Sequence, residues 1–177
     1  MIPVIIGVGG AYSGVGKTTV ICEILQCLEN WGAIKYTRTP FYSSVTDESV
    51  ILAEEGKDTK RFLDAGAAKV VWVQSPYSEL PVTLSLATGM FSQVKGILVE
   101  GNSAVEVINP DILIFISGSL QEKWKTNAEN ILAKADIVLC DKEPSPKFPS
   151  APTFHLEQTT EYMQCLKTLI RRISTEG

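Results

Sequence analysis

A glycine-rich turn between an apolar run and an amphipathic segment constrains this chain more than any other feature of its sequence. Residues 9–19 read Gly-Gly-Ala-Tyr-Ser-Gly-Val-Gly-Lys-Thr-Thr, after the apolar run 2–8 and before a segment whose apolar residues recur at helical spacing. In a strand followed by such a turn and a helix, glycines let backbone N–H groups converge on phosphate oxygens at the positive end of the helix. The turn therefore predicts a phosphate-binding loop.

The positions within this loop suit a nucleoside triphosphate with Mg²⁺. Lys17 would neutralise the terminal phosphates, and Thr18 would offer its hydroxyl to the metal. Ala11 stands where the pattern G-x-x-x-x-G-K-[ST] has its first glycine, so it must adopt ordinary backbone angles or accept strain. A plain turn between strand and helix is the alternative. The residues predicted to contact the nucleotide are Ala11, Tyr12, Ser13, Gly14, Val15, Gly16, Lys17, Thr18 and Thr19.

Strand-like runs alternate with helical patterns along the rest of the chain. The predicted strands are 2–8, 33–37, 69–74, 96–99, 111–116, 136–140 and 153–156; the predicted helices are 17–30, 47–55, a short one from Asp58 or Thr59, 80–90, 124–134 and 157–173. Residues 40–46 and the proline-rich stretch 141–149 are predicted loops. The alternation predicts an α/β fold with a doubly wound, mostly parallel sheet and helices on both faces. Together with the phosphate-binding loop, it indicates a P-loop NTPase fold.

The overall composition is that of one ordinary globular domain. A chain of 177 residues with 45% hydrophobic residues can bury a full core, so we expect a single nucleotide-binding domain over residues 1–177. The net charge of −4 and the lack of a Lys/Arg block argue against a nucleic-acid partner. No stretch is long enough to span a bilayer, and the run 2–8 is too short for a secretion signal, so we expect a cytoplasmic protein without a membrane partner. Four cysteines without a C-x-x-C pair, and a single histidine, His155, argue against a structural metal site.

Glu100 follows an apolar run, 96–99, that is predicted to be a buried strand. Ligands gather at the carboxyl ends of strands in open α/β sheets, so Glu100 is predicted to lie near the phosphate loop, where it can hold Mg²⁺ or orient an attacking water. A carboxylate that only caps the next turn is the alternative. Asp47 is a second candidate for the metal, and Asp58 a candidate for the metal or the reaction centre. Each aspartate could equally be a helix N-cap.

Basic residues near the predicted sheet edge are candidates for contacts with anions. Lys35 and Arg38 lie at the carboxyl end of the predicted strand 33–37. Lys57 and Arg61 could close over phosphates, or they could form an ordinary solvated surface.

The sequence leaves the nucleotide base open. Asp141-Lys142 follows a predicted strand, as Asn/Thr-Lys-x-Asp does in P-loop GTPases, and Lys142 is a candidate for packing along the base. Pro144, however, occupies the position of the aspartate that reads guanine. A polar turn explains the pair equally well, so both GTP and ATP are candidates.

Four motifs, taken in chain order, resemble those of one family. They are the phosphate loop, the basic strand end Ile34-Lys35, the run Gly56-Lys57-Asp58-Thr59-Lys60-Arg61 with its following Ala65-Gly66-Ala67, and Leu98-Val99-Glu100-Gly101. Together they span roughly the first two thirds of the chain and resemble the MobB family, the molybdopterin-guanine dinucleotide biosynthesis proteins B. These are P-loop nucleotide-binding proteins of the SIMIBI class.

The resemblance implies a homodimer that binds GTP with Mg²⁺, hydrolyses it weakly and assists a molybdopterin guanylyltransferase-type protein. It implies that the nucleotide is held by Gly14, Gly16, Lys17, Thr18 and Thr19 and that Glu100 and Asp58 serve the metal or the reaction centre. This chain departs from the family in two respects. The histidine-rich stretch of many members is replaced by Tyr36-Thr37-Arg38-Thr39-Pro40, and no guanine-reading motif is intact.

Other functions remain open within and outside this class. Val99-Glu100-Gly101 and Thr46-Asp47 are also similar to the pattern of dethiobiotin synthetases, ATP-dependent carboxylases in which the acid of the second motif would bind metal. Nickel-insertion GTPases use Cys/His motifs that this chain lacks, and Tyr12 stands where the signature-lysine ATPases have a lysine. A binding module that uses nucleotide as a switch and acts through a protein partner is a further alternative.

Overall fold

Eight strands and seven α-helices alternate along residues 2–119, 124–141 and 151–176, the part of the chain that the computed structural model describes. The strands are β1 Val4–Gly10, β2 Trp31–Arg38, β3 Ser44–Thr46, β4 Lys69–Ser75, β5 Gly96–Glu100, β6 Ile112–Ser117, β7 Ile137–Cys140 and β8 Thr153–His155. The helices are α1 Lys17–Cys27, α2 Ser49–Leu52, α3 Asp58–Asp64, α4 Leu80–Gly89, α5 Asn102–Ile108, α6 Ala128–Leu132 and α7 Thr159–Glu176, with a 3-10 turn at Tyr77–Glu79. Among these described residues, no helix is long and apolar enough to cross a bilayer.

The strands form one sheet in the order β3-β4-β2-β5-β1-β6-β7-β8. Every neighbouring pair is parallel except β3 and β4. Parallel neighbours need crossover connections, and helices supply most of them. The prediction of a mostly parallel α/β sheet is confirmed. At the centre, Glu100 of β5 lies level with Lys35 of β2 on one side and with Val8 of β1 on the other.

Helices cover both faces of the sheet because its central strands are apolar on both sides. On one face, α1, α2, α3 and α7 pack against alternate residues of the strands, and Phe62 and Tyr162 are fully buried there. On the other face, α4, α5 and α6 pack against the intervening residues in two clusters. This two-sided packing is the predicted doubly wound arrangement.

Two elements lie where the sequence analysis predicted none. Residues 44–46, inside the predicted loop 40–46, form β3 and pair antiparallel with β4. The three residues Ser-Val-Thr contain one apolar side chain, so no alternating pattern marks them, and the pairing comes from the neighbouring strand. Helix α5 follows Gly101, whose φ of 119° breaks the chain direction after β5. Its short sequence, Asn-Ser-Ala-Val-Glu-Val-Ile, has weak helical propensity, and burial of Ala104 and Val105 compensates.

Candidate functional site

The carboxyl ends of β1, β2 and β5 meet at one edge of the sheet, and the glycine-rich loop runs from β1 to α1 at that edge. A cleft of about 500 Å³ opens there. Its lining residues are Ser13, Gly14, Gly16, Lys17, Thr18, Thr19, Lys35, Tyr36, Thr37, Arg38, Asp58, Arg61, Glu100, Gly101 and Lys125. Most of the residues singled out in the sequence therefore line one cavity.

The backbone of the loop explains its glycines. Gly14 and Gly16 have φ values of 84° and 107°, a conformation that other residues rarely adopt, although a Cβ atom on either would meet nothing within 4 Å. Ala11 is buried and has an ordinary negative φ, so its replacement of the usual glycine introduces no such strain. Helix α1 begins at Lys17 without a side-chain cap and without an acid in its first turn. Its first N–H groups can therefore bind an anion.

Lys17 lies folded back over the loop. Its side chain is 8% exposed, and its Nζ donates a hydrogen bond of 3.0 Å to the carbonyl oxygen of Tyr12. Burial, followed by the positive charge of Lys125, lowers the pKa of Lys17 from 10.5 to about 8, and Glu100 offsets part of that shift. The charged form of Lys17 is therefore electrostatically unfavourable in the ligand-free protein, and an anionic ligand bound at the loop would stabilise it.

Four polar side chains from different elements form a connected chain beside the loop. Thr18 Oγ1 donates to Glu100 Oε2 at 3.1 Å. Lys35 Nζ lies 2.7 Å from Glu100 Oε1 and 2.5 Å from Asp58 Oδ2. Burial lowers the pKa of Lys35, but the two carboxylates outweigh it and the pKa lies above its usual value. Burial raises the pKa of Asp58, but Lys35 and then the Thr18 hydroxyl outweigh it, so that the pKa is lowered.

The oxygen atoms in this chain are suitable ligands for Mg²⁺. Thr18, Glu100 and Asp58 offer a hydroxyl and two carboxylates, the hard donors that this ion prefers. Within residues 2–119, 124–141 and 151–176, no three His, Cys, Asp or Glu side chains form a metal-binding group. A metal at this position would therefore take its remaining ligands from water or from phosphate.

Four predicted site residues do not line the cleft: Ala11, Tyr12 and Val15 of the loop, and Asp47. Asp47 pairs with Lys69 at 2.7 Å, at the amino-terminal start of β4, where Lys69 lies level with Gly32. That is the opposite end of the strand from the phosphate loop. Lys142 lies outside the described residues.

The remaining basic candidates divide between the cleft and its surroundings. Arg61 lines the cleft, and its Nη2 donates to Thr19 Oγ1 at 3.1 Å. Lys57 instead lies over the ring of Trp72, 4.7 Å from its centroid, and pairs with Glu54 at 2.6 Å. Of these two, only Arg61 is placed to meet a ligand in the cleft.

Sequence reasoning missed two residues that support the loop. The buried amide of Asn102 accepts from Gly10 N at 2.9 Å and donates to Gly10 O at 3.0 Å. The backbone N–H of Lys125 donates to Ala11 O at 2.8 Å, which brings the Lys125 side chain to the cleft. The side chain of Trp124 packs against Phe115 at the same place. No local pattern reveals the contacts of Asn102 and Lys125 with the loop, because they join residues about a hundred positions apart.

Comparison with known proteins identifies the fold. No family model and no curated protein matches this chain. Several solved structures match this chain, and two of them match it over most of its length. The "apo" form of LpxK from Aquifex aeolicus, in complex with ATP, superposes with a TM-score of 0.53 and 17% identity over 88% of this chain. HypB from Helicobacter pylori, in complex with nickel, superposes with a TM-score of 0.56 and 14% identity over 96% of it. The chain has the fold of the P-loop NTPases.

The two matched proteins differ in the fraction of their own length that this chain covers. This chain covers 88% of HypB but only 54% of LpxK, so it spans about half the length of the latter. At these identities the likeness concerns the fold alone, and the chemistry of the cleft must be argued from its own residues.

Proposed function

We propose that this protein binds a nucleoside triphosphate with Mg²⁺ and hydrolyses it slowly, as a GTP-binding accessory protein of the MobB type. The observation on which this proposal rests is the hydrogen bond between Thr18, at the start of the helix after the loop, and the buried carboxylate of Glu100. A hydroxyl and a carboxylate that meet beside Lys17 form the arrangement that a metal-bound triphosphate requires.

The chemistry assigned to the cleft is electrostatic. The loop N–H groups and Lys17 would bind the phosphates, and Lys125 and Arg61 add positive charge at the rim. Thr18, Glu100 and Asp58 would hold Mg²⁺, which when bound neutralises charge on the phosphate oxygens. Glu100 would also orient water, because its buried carboxylate lies at the start of α1 and accepts a hydrogen bond from Thr18.

The MobB assignment is supported by residues outside the loop. Three separate motifs of the resemblance meet in the cleft. Lys35, at the end of its strand, pairs with Asp58 of the Gly-Lys-Asp-Thr run and with Glu100 of Val-Glu-Gly. Asp47, which a dethiobiotin synthetase would use for metal, lies at the other end of the sheet. These contacts favour the MobB alternative. The resemblance to that family, in turn, implies GTP, a homodimer and a partner of the molybdopterin guanylyltransferase type.

Calorimetric titration with Mg²⁺-nucleotide tests the binding site. Lys17→Ala is expected to weaken binding about tenfold or more, because hydrogen bonds to charged groups contribute about 1.5–3 kcal/mol. Lys95→Ala is the matched control, since Lys95 is exposed just before the amino end of β5. If the two variants bind with the same affinity as the wild type, the phosphate-loop assignment is wrong.

Competition and turnover test the finer assignments. GTP is expected to displace a bound fluorescent nucleotide at lower concentration than ATP, and the opposite order would exclude GTP specificity. Slow hydrolysis is tested by measuring phosphate release. Release that requires Mg²⁺, and whose rate is lower in Glu100→Gln, supports it, whereas tight nucleotide binding without turnover would favour the switch module.

A MobB-type role further predicts that the protein raises the yield of guanylyl transfer to molybdopterin by its partner enzyme, and no increase would contradict it.

A further inference from the structure

The side chain of Lys35 lies between the two carboxylates that the proposed function assigns to Mg²⁺. Its Nζ contacts Asp58 and Glu100 at 2.5 and 2.7 Å, and its side chain is 17% exposed. The oxygens it contacts belong to the same connected chain as Thr18. A metal that bridges Glu100 Oε1 and Asp58 Oδ2 would need both oxygens at about 2.0–2.1 Å, so Lys35 and Mg²⁺ cannot both occupy the space between them.

We propose that, in the nucleotide-free protein, the ammonium group of Lys35 occupies the position of Mg²⁺ and excludes the metal. When a nucleotide binds, it brings Mg²⁺ with it, and its phosphates replace the two carboxylates as partners of Lys35. The inference rests on the proposed function, because the ligand that moves Lys35 is a triphosphate. It makes metal binding conditional on nucleotide binding, and it assigns Lys35 a second position on the phosphates.

The charge of the cleft supports exclusion of free metal. Five cationic side chains and two anionic ones line it, an excess of three positive charges in a chain whose net charge is −4. Adding a divalent cation to such a cleft is opposed by like charges at short range. A triphosphate reverses this balance, because its negative charges exceed the local excess.

The burial of Lys35 supports a transfer to phosphate. The Lys35 side chain is 17% exposed, and its Nζ is ion-paired with both Glu100 and Asp58. A metal that took both carboxylates without supplying a new anion would leave a buried ammonium unpaired, which is strongly unfavourable. Phosphate oxygens in the same cleft provide that new partner, and the flexible four-carbon stem of lysine lets the ammonium reach it.

The number of protein ligands leads to the same conclusion. Among the described residues, the connected chain beside the loop offers two carboxylates and one hydroxyl, and no third acid lines the cleft. Mg²⁺ requires six oxygens and gives up its water reluctantly. Displacement of Lys35 is therefore favourable only when phosphate oxygens complete the coordination.

Titration of nucleotide-free protein with Mn²⁺, followed by electron paramagnetic resonance, tests the inference. Lys35→Met is expected to bind Mn²⁺ about tenfold or more tightly than the wild type, because it removes the competing charge. The double variant Lys35→Met/Glu100→Gln is expected to lose this gain. Lys69→Met is the matched control, since Lys69 pairs with an aspartate away from the cleft. If Lys35→Met binds no more tightly than the wild type or Lys69→Met, or if the gain survives in the double variant, the inference is wrong.

The same titration separates this inference from the proposed function, because it contains no nucleotide. Wild-type protein that fails to bind nucleotide would refute the proposed function, while tight Mn²⁺ binding by Lys35→Met would still identify a metal site closed by lysine. With a non-hydrolysable nucleotide present, the Mn²⁺ affinity of the wild type is expected to rise more than that of Lys35→Met; an equal rise would refute the conditional binding. If Lys35→Met does not fold, as judged by circular dichroism, Lys35→Gln replaces it with the same expectations, since its amide can still donate to one carboxylate.

Discussion

Replacing Lys17 by methionine separates the stability of the ligand-free protein from its affinity for phosphate. The two side chains are of similar length, and the methionine thioether fills the buried space without a charge. Lys17 is 8% exposed, and it donates one hydrogen bond to Tyr12. The variant is therefore expected to be more stable than the wild type while losing nucleotide binding.

The size of this gain follows from the pKa of Lys17. The pKa falls from an ordinary 10.5 to about 8, and each pKa unit corresponds to about 1.4 kcal/mol, so the folded protein holds this charge at a penalty of about 3 kcal/mol. The hydrogen bond lost in the variant offsets about 1 kcal/mol of that penalty. The expected increase in the free energy of unfolding at neutral pH is about 2 kcal/mol.

The dependence on pH gives this prediction a second signature. Since the pKa of Lys17 is lower in the folded chain, the unfolded chain binds more protons between about pH 8 and 10.5, and the stability of the wild type rises with pH through that window. By about pH 9.5 roughly 2 kcal/mol of the penalty is gone, so the two proteins should then be nearly equal in stability.

Urea unfolding at pH 7 and at about pH 9.5, without nucleotide, measures both effects. Lys95→Met, which changes an exposed lysine, is the control and should show no difference from the wild type at either pH. A Lys17→Met protein that is less stable than the wild type at pH 7, or whose difference from it does not change with pH, would refute the buried-charge argument.

Three further changes test other contacts of the site and core. Lys125→Ala removes the positive charge that, after burial, does most to lower the pKa of Lys17. When nucleotide affinity is measured from pH 6.5 to 9.5, the pH at which it falls by half should therefore be higher in the variant; an unchanged or lower value would contradict this. Asn102→Ala leaves both backbone groups of Gly10 without their side-chain partner and should lower the free energy of unfolding in urea by about 2–4 kcal/mol, whereas a loss below about 0.5 kcal/mol would show that the contact is unimportant. Tyr162→Phe removes a hydroxyl whose pKa is raised by burial and by its hydrogen bond to a carboxylate of α1, and it should lower the melting temperature by a few degrees; an unchanged melting temperature would count against that bond.

The parts of the site that the sequence predicts are those that depend on local pattern. The phosphate loop is contiguous, and its glycines at positions 14 and 16 have the positive φ values that the pattern demands. Glu100 could be placed near the loop by one general rule, because strands that run parallel bring their carboxyl ends to one edge. The order of the strands then determines that Glu100 lies level with Lys35.

The parts that could not be predicted depend on pairing between distant segments. Asn102 contacts Gly10 across 92 positions, and no periodicity in either segment reports the contact. Asp47 follows β3, which runs antiparallel to β4, so the chain direction reverses and the aspartate is directed to the opposite end of the sheet. Residue spacing in the sequence does not reveal that the chain reverses direction at β3, so it could not show that Asp47 lies away from the cleft.

The amide of Asn102 has a consequence for how quickly a ligand is captured. It pairs with both polar groups of Gly10, so the backbone that enters the phosphate loop is satisfied before any anion arrives. A segment held in this way loses little conformational entropy on association, and little of the binding free energy is spent on ordering it. Encounter with the positively charged cleft, rather than a slow folding step of the loop, would then limit the association rate.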